Sequence, residues 1–298
     1  MSSADAELGH VQPGLMARWD SDARWREQMT AWLLVAPAVL AIVLLFIVPI
    51  GYVLLLSVTD PTISLEHYRR IFSVPLYSGV MLNTFRTSLI VTIACLLLGY
   101  PLAYLIVRGQ ERWRVPLILF VIFPMLLNLV VRSFGWIALL ANRGLVNNLL
   151  IQLGVINTPM KLMFNLTGLM IGLTHIFLPF MVLMLAAAIR NVPRDIEAAA
   201  ATLGSSRLHV FASVTLPLSA PGILAGSILV FVLTISALVT PRMLGGPTYK
   251  VMATLIYDEY MQLLDWPSGS ALSFTLTFMA IAVIWLSSRL TRRWAGVA

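Results

Sequence analysis

Residues 191–217 read NVPRDIEAAAATLGSSRLHVFASVTLP and lie between two long apolar stretches. Asp195 and Glu197 stand near the beginning of this segment, where negative charge stabilises the N-terminal end of a helix. A run of alanines favours the helix, and Gly204 is typical of a helix C-terminus because glycine adopts left-handed backbone angles. A second short helix is predicted to begin near Ser205 or Ser206. The segment is therefore predicted to fold into two helices that a soluble partner can bind.

The rest of the chain is far more apolar than a soluble protein of this size. Hydrophobic residues make up 59% of the 298 residues, charged residues make up 11%, and the mean hydropathy is +0.89. A helix needs roughly 20 apolar residues to cross a membrane core of ~30 Å. Six stretches reach that length, at about residues 31–58, 84–107, 115–140, 166–189, 220–239 and 270–290. We therefore predict an all-α polytopic membrane protein with six transmembrane helices.

The basic residues predict how the chain is oriented. With a cytoplasmic N terminus, twelve arginines fall on the cytoplasmic side, and four arginines and two lysines fall outside. Because arginine and lysine are enriched in cytoplasmic loops, both termini and residues 191–217 are predicted to be cytoplasmic. Residues 1–30 are interpreted as a cytoplasmic lead-in and residues 31–298 as the transmembrane domain. These basic flanks account for the sequence pI near 10.0 without a nucleic-acid partner.

The sequence lacks the motifs of common enzyme classes. It contains no phosphate-binding Gly-x-x-x-x-Gly-Lys-Ser/Thr, no His-Glu-x-x-His and no Gly-x-Ser-x-Gly. The predicted spans contain no Asp or Glu, which excludes an aspartyl mechanism inside the membrane. The single cysteine, Cys95, lies in the second span and has no partner for an intrachain disulfide. The chain is predicted to have no catalytic or metal-binding residue and to bind no cofactor itself.

The spacing within residues 191–217 resembles a known motif. A glycine followed after nine residues by Val-Thr-Leu-Pro is similar to the EAA loop of permease subunits of bacterial ABC importers. The resemblance implies the type I importer permease fold, in which this loop forms a coupling helix that docks on an ATP-binding subunit. The residues that it implies for coupling are Asp195, Glu197, Ala198, Ala199, Gly204, Leu216 and Pro217.

One position departs from that motif. The position that usually holds glutamate is Ala198 here, and the acid lies one residue earlier, at Glu197. A shift of one residue turns a side chain by about 100° around a helix. Two interpretations of Glu197 remain open at this point: a charge used in docking, or a device that stabilises the helix end.

Four further segments extend the resemblance to spermidine/putrescine-type permeases, a subfamily that also includes carriers of opines and related small amino compounds. They are LGYPLAY (98–104), VRSFGWIALLANRGLVNNLL (131–150), LVTPRMLGGP (238–247) and DWPSGSALS (265–273). The resemblance implies a location in the bacterial inner membrane and a pair of similar permease chains, expected to be a heterodimer. It also implies two ATP-binding subunits that hold ATP and Mg²⁺, and an extracytoplasmic solute-binding protein.

A candidate solute path follows from polar residues in the third predicted span. Asn128, Arg132 and Trp136 recur every four residues and would share one helix face. Such a stripe is expected to face other helices or water rather than lipid. An alternative to a role in the solute path remains open for two of these residues. The flexible Arg132 side chain can extend its guanidinium to the outer membrane–water interface, and Trp136 can be an aromatic residue of that interface.

The fifth predicted span adds two features. Gly222 and Gly226 form a Gly-x-x-x-Gly pattern, which predicts close packing against another helix. Thr240 and Arg242 flank a proline at the end of the span, and this predicts a broken helix at the outer mouth whose backbone can hold a solute. An ordinary helix end is the alternative.

The predicted mouth is basic, because it holds Arg86, Arg132 and Arg242 and the spans hold no acid. A basic mouth repels a polycation, so the sequence favours a zwitterionic amino compound over free spermidine. Two other classes of membrane protein fit the sequence less well. A proton-coupled secondary transporter could use the intramembrane histidine His175, but it would need membrane acids. A membrane scaffold would not need an organised loop.

Overall fold

The computed structural model describes Met29, residues 32–59 and residues 62–295 of the chain. Within these residues the regular structure is helical, and an isolated bridge joins Thr59 and Ile63. This confirms the predicted all-α class. The predicted lead-in, residues 1–30, lies outside the described residues apart from Met29.

We number the helices of the described residues in chain order. They are α1 (Trp32–Val58), α2 (Glu66–Ser73), α3 (Pro75–Arg108), α4 (Glu111–Leu126), α5 (Leu129–Leu140), α6 (Leu145–Gln152), α7 (Leu166–Arg190), α8 (Arg194–Thr202), α9 (Arg207–Leu218), α10 (Ala220–Ile235), α11 (Met252–Asp258) and α12 (Trp266–Ala295). π-Helical turns occur within α1 at Val43–Ile47 and within α9 at Phe211–Thr215, after α10 at Pro241–Gly245, and after α11 at Glu259–Leu263.

Five helical stretches of the described residues are long and apolar enough to cross a membrane. They are α1, α3, Leu129–Gln152 (which comprises α5 and α6), α7, and Trp266–Arg289 of α12. A further stretch consists of α9 and α10, which meet at an angle of 64°. Pro217 and Pro221 flank this bend, and neither has an N–H to donate to the preceding turn. Counted as one bent span, this pair raises the number of candidate stretches in the described residues to six, the number predicted, but Leu129–Gln152 takes the place of the predicted stretch 115–140.

The predicted third span, residues 115–140, is not one helix. Helix α4 ends at Leu126 and α5 begins at Leu129, with ψ angles of 141° and 137° at Leu127 and Asn128. The Asn128 Oδ1 accepts a hydrogen bond from the Val130 N–H at 2.8 Å and so caps α5. The prediction of an unbroken helix was wrong because a capping asparagine looks the same in the sequence as one member of a polar stripe.

Helix α1 belongs to a separate unit that ends at Leu55. It exposes large apolar side chains along its length, including Leu34, Phe46 and Ile50. A helix that is apolar all round is suited to contact with lipid.

The second unit, which begins at Leu56, is built around α3, α7 and α10. These helices pack along one another, and Val91, Met181 and Val230 are completely buried where they meet. Because lipid is as apolar as these side chains, close packing rather than the hydrophobic effect holds such helices together.

The predicted Gly-x-x-x-Gly contact lies between α10 and α7. A Cβ added to Gly222 would collide with the Cβ of Ala188, and one added to Gly226 would lie 2.9 Å from the Met181 sulfur. The absence of side chains at these glycines therefore lets the two backbones approach, as the pattern predicts.

Residues 249–265, which we call the distal segment, pack on the N-terminal end of α3. The Thr84 hydroxyl accepts a hydrogen bond from the Met252 N–H at 2.8 Å, and the Thr87 and Tyr249 hydroxyls lie 3.1 Å apart. Helix α3 has 34 residues and is therefore about 51 Å long. The distal segment and the C-terminal residue of α3, Arg108, consequently lie at opposite ends of one helix.

We expect Gly222→Ala to destabilise the protein, because the added methyl group would force α7 and α10 apart. Overpacking of this kind costs ~1–3 kcal/mol and should lower the thermal midpoint of the detergent-solubilised protein. Gly79→Ala is the matched control: a Cβ at Gly79 meets no atom within 4 Å, and alanine is favoured over glycine in a helix by ~1 kcal/mol. An unchanged midpoint in Gly222→Ala would contradict the close contact.

Candidate functional site

Residues 191–217, which we call the coupling loop, fold into two short helices as predicted. Gly204 has a φ angle of +85° and ends α8. Its N–H donates to the Ala201 carbonyl at 3.0 Å, and the Ser205 N–H donates to the Ala200 carbonyl at 3.3 Å. This is the Schellman arrangement, in which a left-handed residue closes a helix.

The two helix starts in the loop also agree with the sequence. Ser206 caps α9, because its hydroxyl accepts a hydrogen bond from the His209 N–H at 3.3 Å. Asp195 and Glu197 lie in the first turn of α8. Pro193 immediately precedes that turn. The local pattern therefore predicts the loop to within a residue.

Helix α8 has one exposed face and one that packs against its own chain. Asp195, Ala198 and Ala199 are exposed, whereas Glu197 is half-buried. Large apolar side chains extend the exposed surface into the turn and α9, where Leu203 is 87% and Leu208 is 78% exposed. A group of exposed apolar side chains on a folded loop is typical of a surface that binds another protein.

The Glu197 carboxylate points into its own chain. Its Oε2 lies 3.1 Å from Nε of Arg108, and its Oε1 accepts hydrogen bonds from Arg108 Nη2 at 3.2 Å and from the Thr215 hydroxyl at 2.8 Å. Arg108 Nη2 also donates to the Val192 carbonyl at 2.7 Å. Arg108 therefore joins α3 to the short connection between α7 and α8 and to the first turn of α8. The sequence analysis missed Arg108, which stands 89 residues from Glu197.

A second set of contacts holds α9 against α3. The Phe211 ring packs edge-on against Tyr100 and Tyr104, with ring centroids 5.5 Å apart in each case. The Tyr100 hydroxyl lies 2.7 Å from that of Ser219, the residue at the bend between α9 and α10. The predicted coupling residues Leu216 and Pro217 form the exposed last turn of α9, directly before this bend.

Of the predicted path residues, Arg132 and Trp136 lie one turn apart on α5. The Trp136 indole N–H donates to Nδ1 of His175 on α7 at 3.2 Å, and the two rings meet edge-on at 5.4 Å. The Nε and Nη1 atoms of Arg132 are buried and have no hydrogen-bond acceptor within the described residues. The Asn128 side chain is instead exposed and caps α5, so it does not join this cluster.

Thr240 is buried and contacts α5. Its hydroxyl lies 3.4 Å from that of Ser133, which is also buried. The helix break predicted here occurs earlier: α10 ends at Ile235, and Thr240 immediately precedes the π-helical turn Pro241–Gly245. Sequence reasoning placed the break at the proline, whereas the proline begins a new turn, a position where its missing N–H is not needed.

Arg242 is not an uncompensated charge at the mouth. Its guanidinium lies 3.2 Å from Asp258 and 4.0 Å from the centre of the Tyr257 ring, and Lys250 lies 2.7 Å from the same carboxylate. Arg242, Lys250 and Asp258 border a cavity of about 270 Å³. Asp258 therefore offsets part of the basic charge that the sequence predicts around Arg242.

The distal segment carries a buried acid that the sequence analysis did not single out. Glu259 is buried, and its Oε1 accepts a hydrogen bond from the Tyr77 hydroxyl of α3 at 3.0 Å. Burial raises the pKa of the Glu259 carboxyl. The bond is a third link between this segment and the N-terminal end of α3.

Comparison with known proteins identifies a family to which this chain belongs. Residues 76–296 match the family model described as binding-protein-dependent transport system inner membrane component. The chain belongs to this family. It is therefore a multi-pass inner-membrane permease subunit of an ABC importer, and ATP hydrolysis in these systems is carried out by separate subunits. Family membership confirms the non-enzymatic prediction and disfavours a proton-coupled transporter.

Comparisons with individual proteins agree with this family assignment. The chain is 35% identical over 233 residues to the spermidine/putrescine transport system permease protein PotB of Escherichia coli (strain K12), which covers 77% of this chain and 84% of that protein. PotB of Haemophilus influenzae is 34% identical over 227 residues, covering 76% and 79%. A bacterial alginate ABC transporter, solved with an alginate-bound periplasmic protein, superposes with a TM-score of 0.72 at 18% identity, covering 90% and 97%. The predicted type I importer permease fold is confirmed.

We expect Gly204→Val to disturb the turn between α8 and α9, because a left-handed backbone costs a residue with a side chain ~1–2 kcal/mol. ATP hydrolysis by the assembled importer should fall while membrane insertion persists. Gly154→Val is a matched control, since Gly154 has a φ angle of +69° and open space around it but lies outside the coupling loop. Equal activity in the two variants would argue against a role of the turn.

Proposed function

We propose that this permease pairs with a second, similar permease chain and carries a small amino compound of the polyamine class into the cell. Two ATP-binding subunits, which hold ATP and Mg²⁺, would drive transport, and an extracytoplasmic binding protein would deliver the solute. The observation that carries the proposal is the folded coupling loop, which exposes one face of α8 and fastens the other to α3. The resemblance to the PotB permeases supports the solute class.

Docking would use the exposed face of α8. Asp195, Ala198 and Ala199 present small side chains and one charge, and Leu203 and Leu208 add apolar surface beside them. A cleft in an ATP-binding subunit could enclose such a helix, since alanines allow close approach. Closure of the two ATP-binding subunits would then move α8 and, through the internal contacts of the loop, the spans.

Alternating access would open a path lined by Arg132, Trp136 and Thr240. Arg132 and Trp136 lie next to α7, and Thr240 contacts α5 beside them through Ser133. The interruption of the helix after Ile235 leaves backbone groups available near this cluster, where a solute could bind them. The positive-inside distribution supports cytoplasmic termini and a cytoplasmic coupling loop.

Two observations bear on the solute. Asp258 compensates Arg242 and Lys250, so the repulsion that the sequence suggested for a polycation is reduced. This agrees with a polyamine-class solute. A zwitterionic amino compound is the second candidate, because the buried donors of Arg132 lack an acceptor that a solute carboxylate would supply.

The first test concerns docking. Ala198→Arg places a long charged side chain on the exposed face of α8, and we expect it to abolish co-purification of the ATP-binding subunits. Gln110→Arg is the matched control, because Gln110 is exposed near the same end of α3 but outside the coupling loop. Co-purification at the wild-type ratio in Ala198→Arg would remove this face from the ATPase interface.

The second test concerns the solute. The assembled importer in proteoliposomes with its binding protein is supplied with radiolabelled putrescine, spermidine or octopine, a zwitterionic opine. We expect uptake of the polyamines, little effect of Arg132→Gln on it, and no uptake of octopine. Uptake of octopine alone, lost in Arg132→Gln, would establish the zwitterionic candidate instead.

A further inference from the structure

We propose that Arg108 and Glu197 form an internal transmission pair, which carries the movement of the docked α8 to α3, and that Glu197 makes no contact with an ATP-binding subunit. The proposal rests on the proposed docking of the coupling loop. It assigns to Arg108, Glu197 and Thr215 positioning roles within their own chain, whereas the motif implies a contact of Glu197 with an ATP-binding subunit.

The carboxylate of Glu197 is already occupied. One oxygen faces Arg108 Nε, and the other accepts from both Arg108 and Thr215. The Arg108 and Glu197 side chains are only 10% and 16% exposed. A partner subunit would have to displace these bonds to reach the charge, whereas Asp195 and Ala198 are exposed.

The Arg108–Glu197 pair connects α8 with α3 and with α9. Arg108 is the last residue of α3, and the same guanidinium holds Val192 at the entrance to α8. Through Thr215, the carboxylate also holds the π-helical turn of α9. Any displacement of α8 therefore acts on the end of α3 through charged, directional contacts that resist sliding more than apolar packing does.

At its other end, α3 holds the distal segment. Thr84, Thr87 and Tyr77 bond to Met252, Tyr249 and Glu259 respectively. One continuous helix thus joins the coupling loop to residues 249–265, with Pro101 as the interior residue that cannot donate a backbone hydrogen bond. Coupling between distant sites needs such a physically connected element.

The test uses the assembled importer and a label at the distal end. Gln262 is exposed in the distal segment, and Cys95, the single native cysteine, is buried, so Gln262→Cys accepts a fluorophore selectively. The signal is followed when a non-hydrolysable ATP analogue with Mg²⁺ is added. This readout needs no transported solute. The variants are Glu197→Gln, Arg108→Glu, Glu197→Arg and the double exchange Arg108→Glu with Glu197→Arg.

We expect each single variant to keep the ATP-binding subunits at the wild-type ratio but to reduce the label response on the order of fivefold. The double exchange should recover most of the response, because only a pair within one chain is repaired by an exchange within that chain. Glu111→Gln is the control: Glu111 forms an exposed ion pair with Arg114 near the same end of α3, and its loss should change neither readout.

Three results would overturn the proposal. They are an unchanged label response in Glu197→Gln, a double exchange no better than the single variants, and loss of the ATP-binding subunits in Glu197→Gln, which would make Glu197 a docking residue. Glu197→Gln keeps the side-chain size and an acceptor oxygen, so it decides the matter even if the charge reversals do not fold. Failure of the docking itself is recognised separately, by normal co-purification in Ala198→Arg.

Discussion

The ion pair between Arg108 and Glu197 fixes the coupling loop to the rest of the permease. Exposed ion pairs contribute only ~0–1 kcal/mol, but removing one partner of a buried pair costs ~3–5 kcal/mol because the other charge is left without compensation. The largely buried pair in this chain lies closer to the second case. Its partners also hold the Val192 carbonyl and the Thr215 hydroxyl, so the position of α8 depends on one cluster of polar contacts.

Several polar groups of the spans are satisfied locally, as an apolar solvent requires. The hydroxyls of Thr92, Ser133 and Thr234 each donate to the carbonyl four residues earlier, and such bonds bring a polar side chain into a membrane helix without a second partner. Ser88, Thr174 and Arg132 depart from this rule, because the two hydroxyls and two nitrogen atoms of Arg132 are buried without a hydrogen-bond partner within the described residues. Burying a hydrogen-bond donor without an acceptor costs free energy. The Arg132 guanidinium therefore requires an acceptor from outside the chain.

Local pattern predicts much of this structure. Composition and run length predict most of the spans, the spacing of Gly222 and Gly226 predicts a close helix contact, and Gly204 predicts the end of α8. Each of these depends on residues that are close together in the sequence. The contacts that give the sites their chemistry join distant residues: Glu197 with Arg108, Trp136 with His175, and Glu259 with Tyr77 are 89, 39 and 182 residues apart. The periodicity of the sequence does not reveal such distant pairs. A helix-capping residue such as Asn128 can also fall on the spacing of a polar stripe and be mistaken for one of its members.

The distribution of rigid and polar contacts indicates how one chain can convert movement at one end into opening at the other. Helices α3, α7 and α10 pack through fully buried side chains and through glycines at which an added Cβ would collide with the neighbouring helix. These helices therefore move together rather than bend independently. The coupling loop and the distal segment attach to this core at opposite ends of α3, mainly through hydrogen bonds and ion pairs. The Arg108–Glu197 pair and the Tyr77–Glu259 bond are largely buried, so they are not readily exchanged for bonds to water. Movement of the coupling loop should therefore be carried by the packed core to the distal segment.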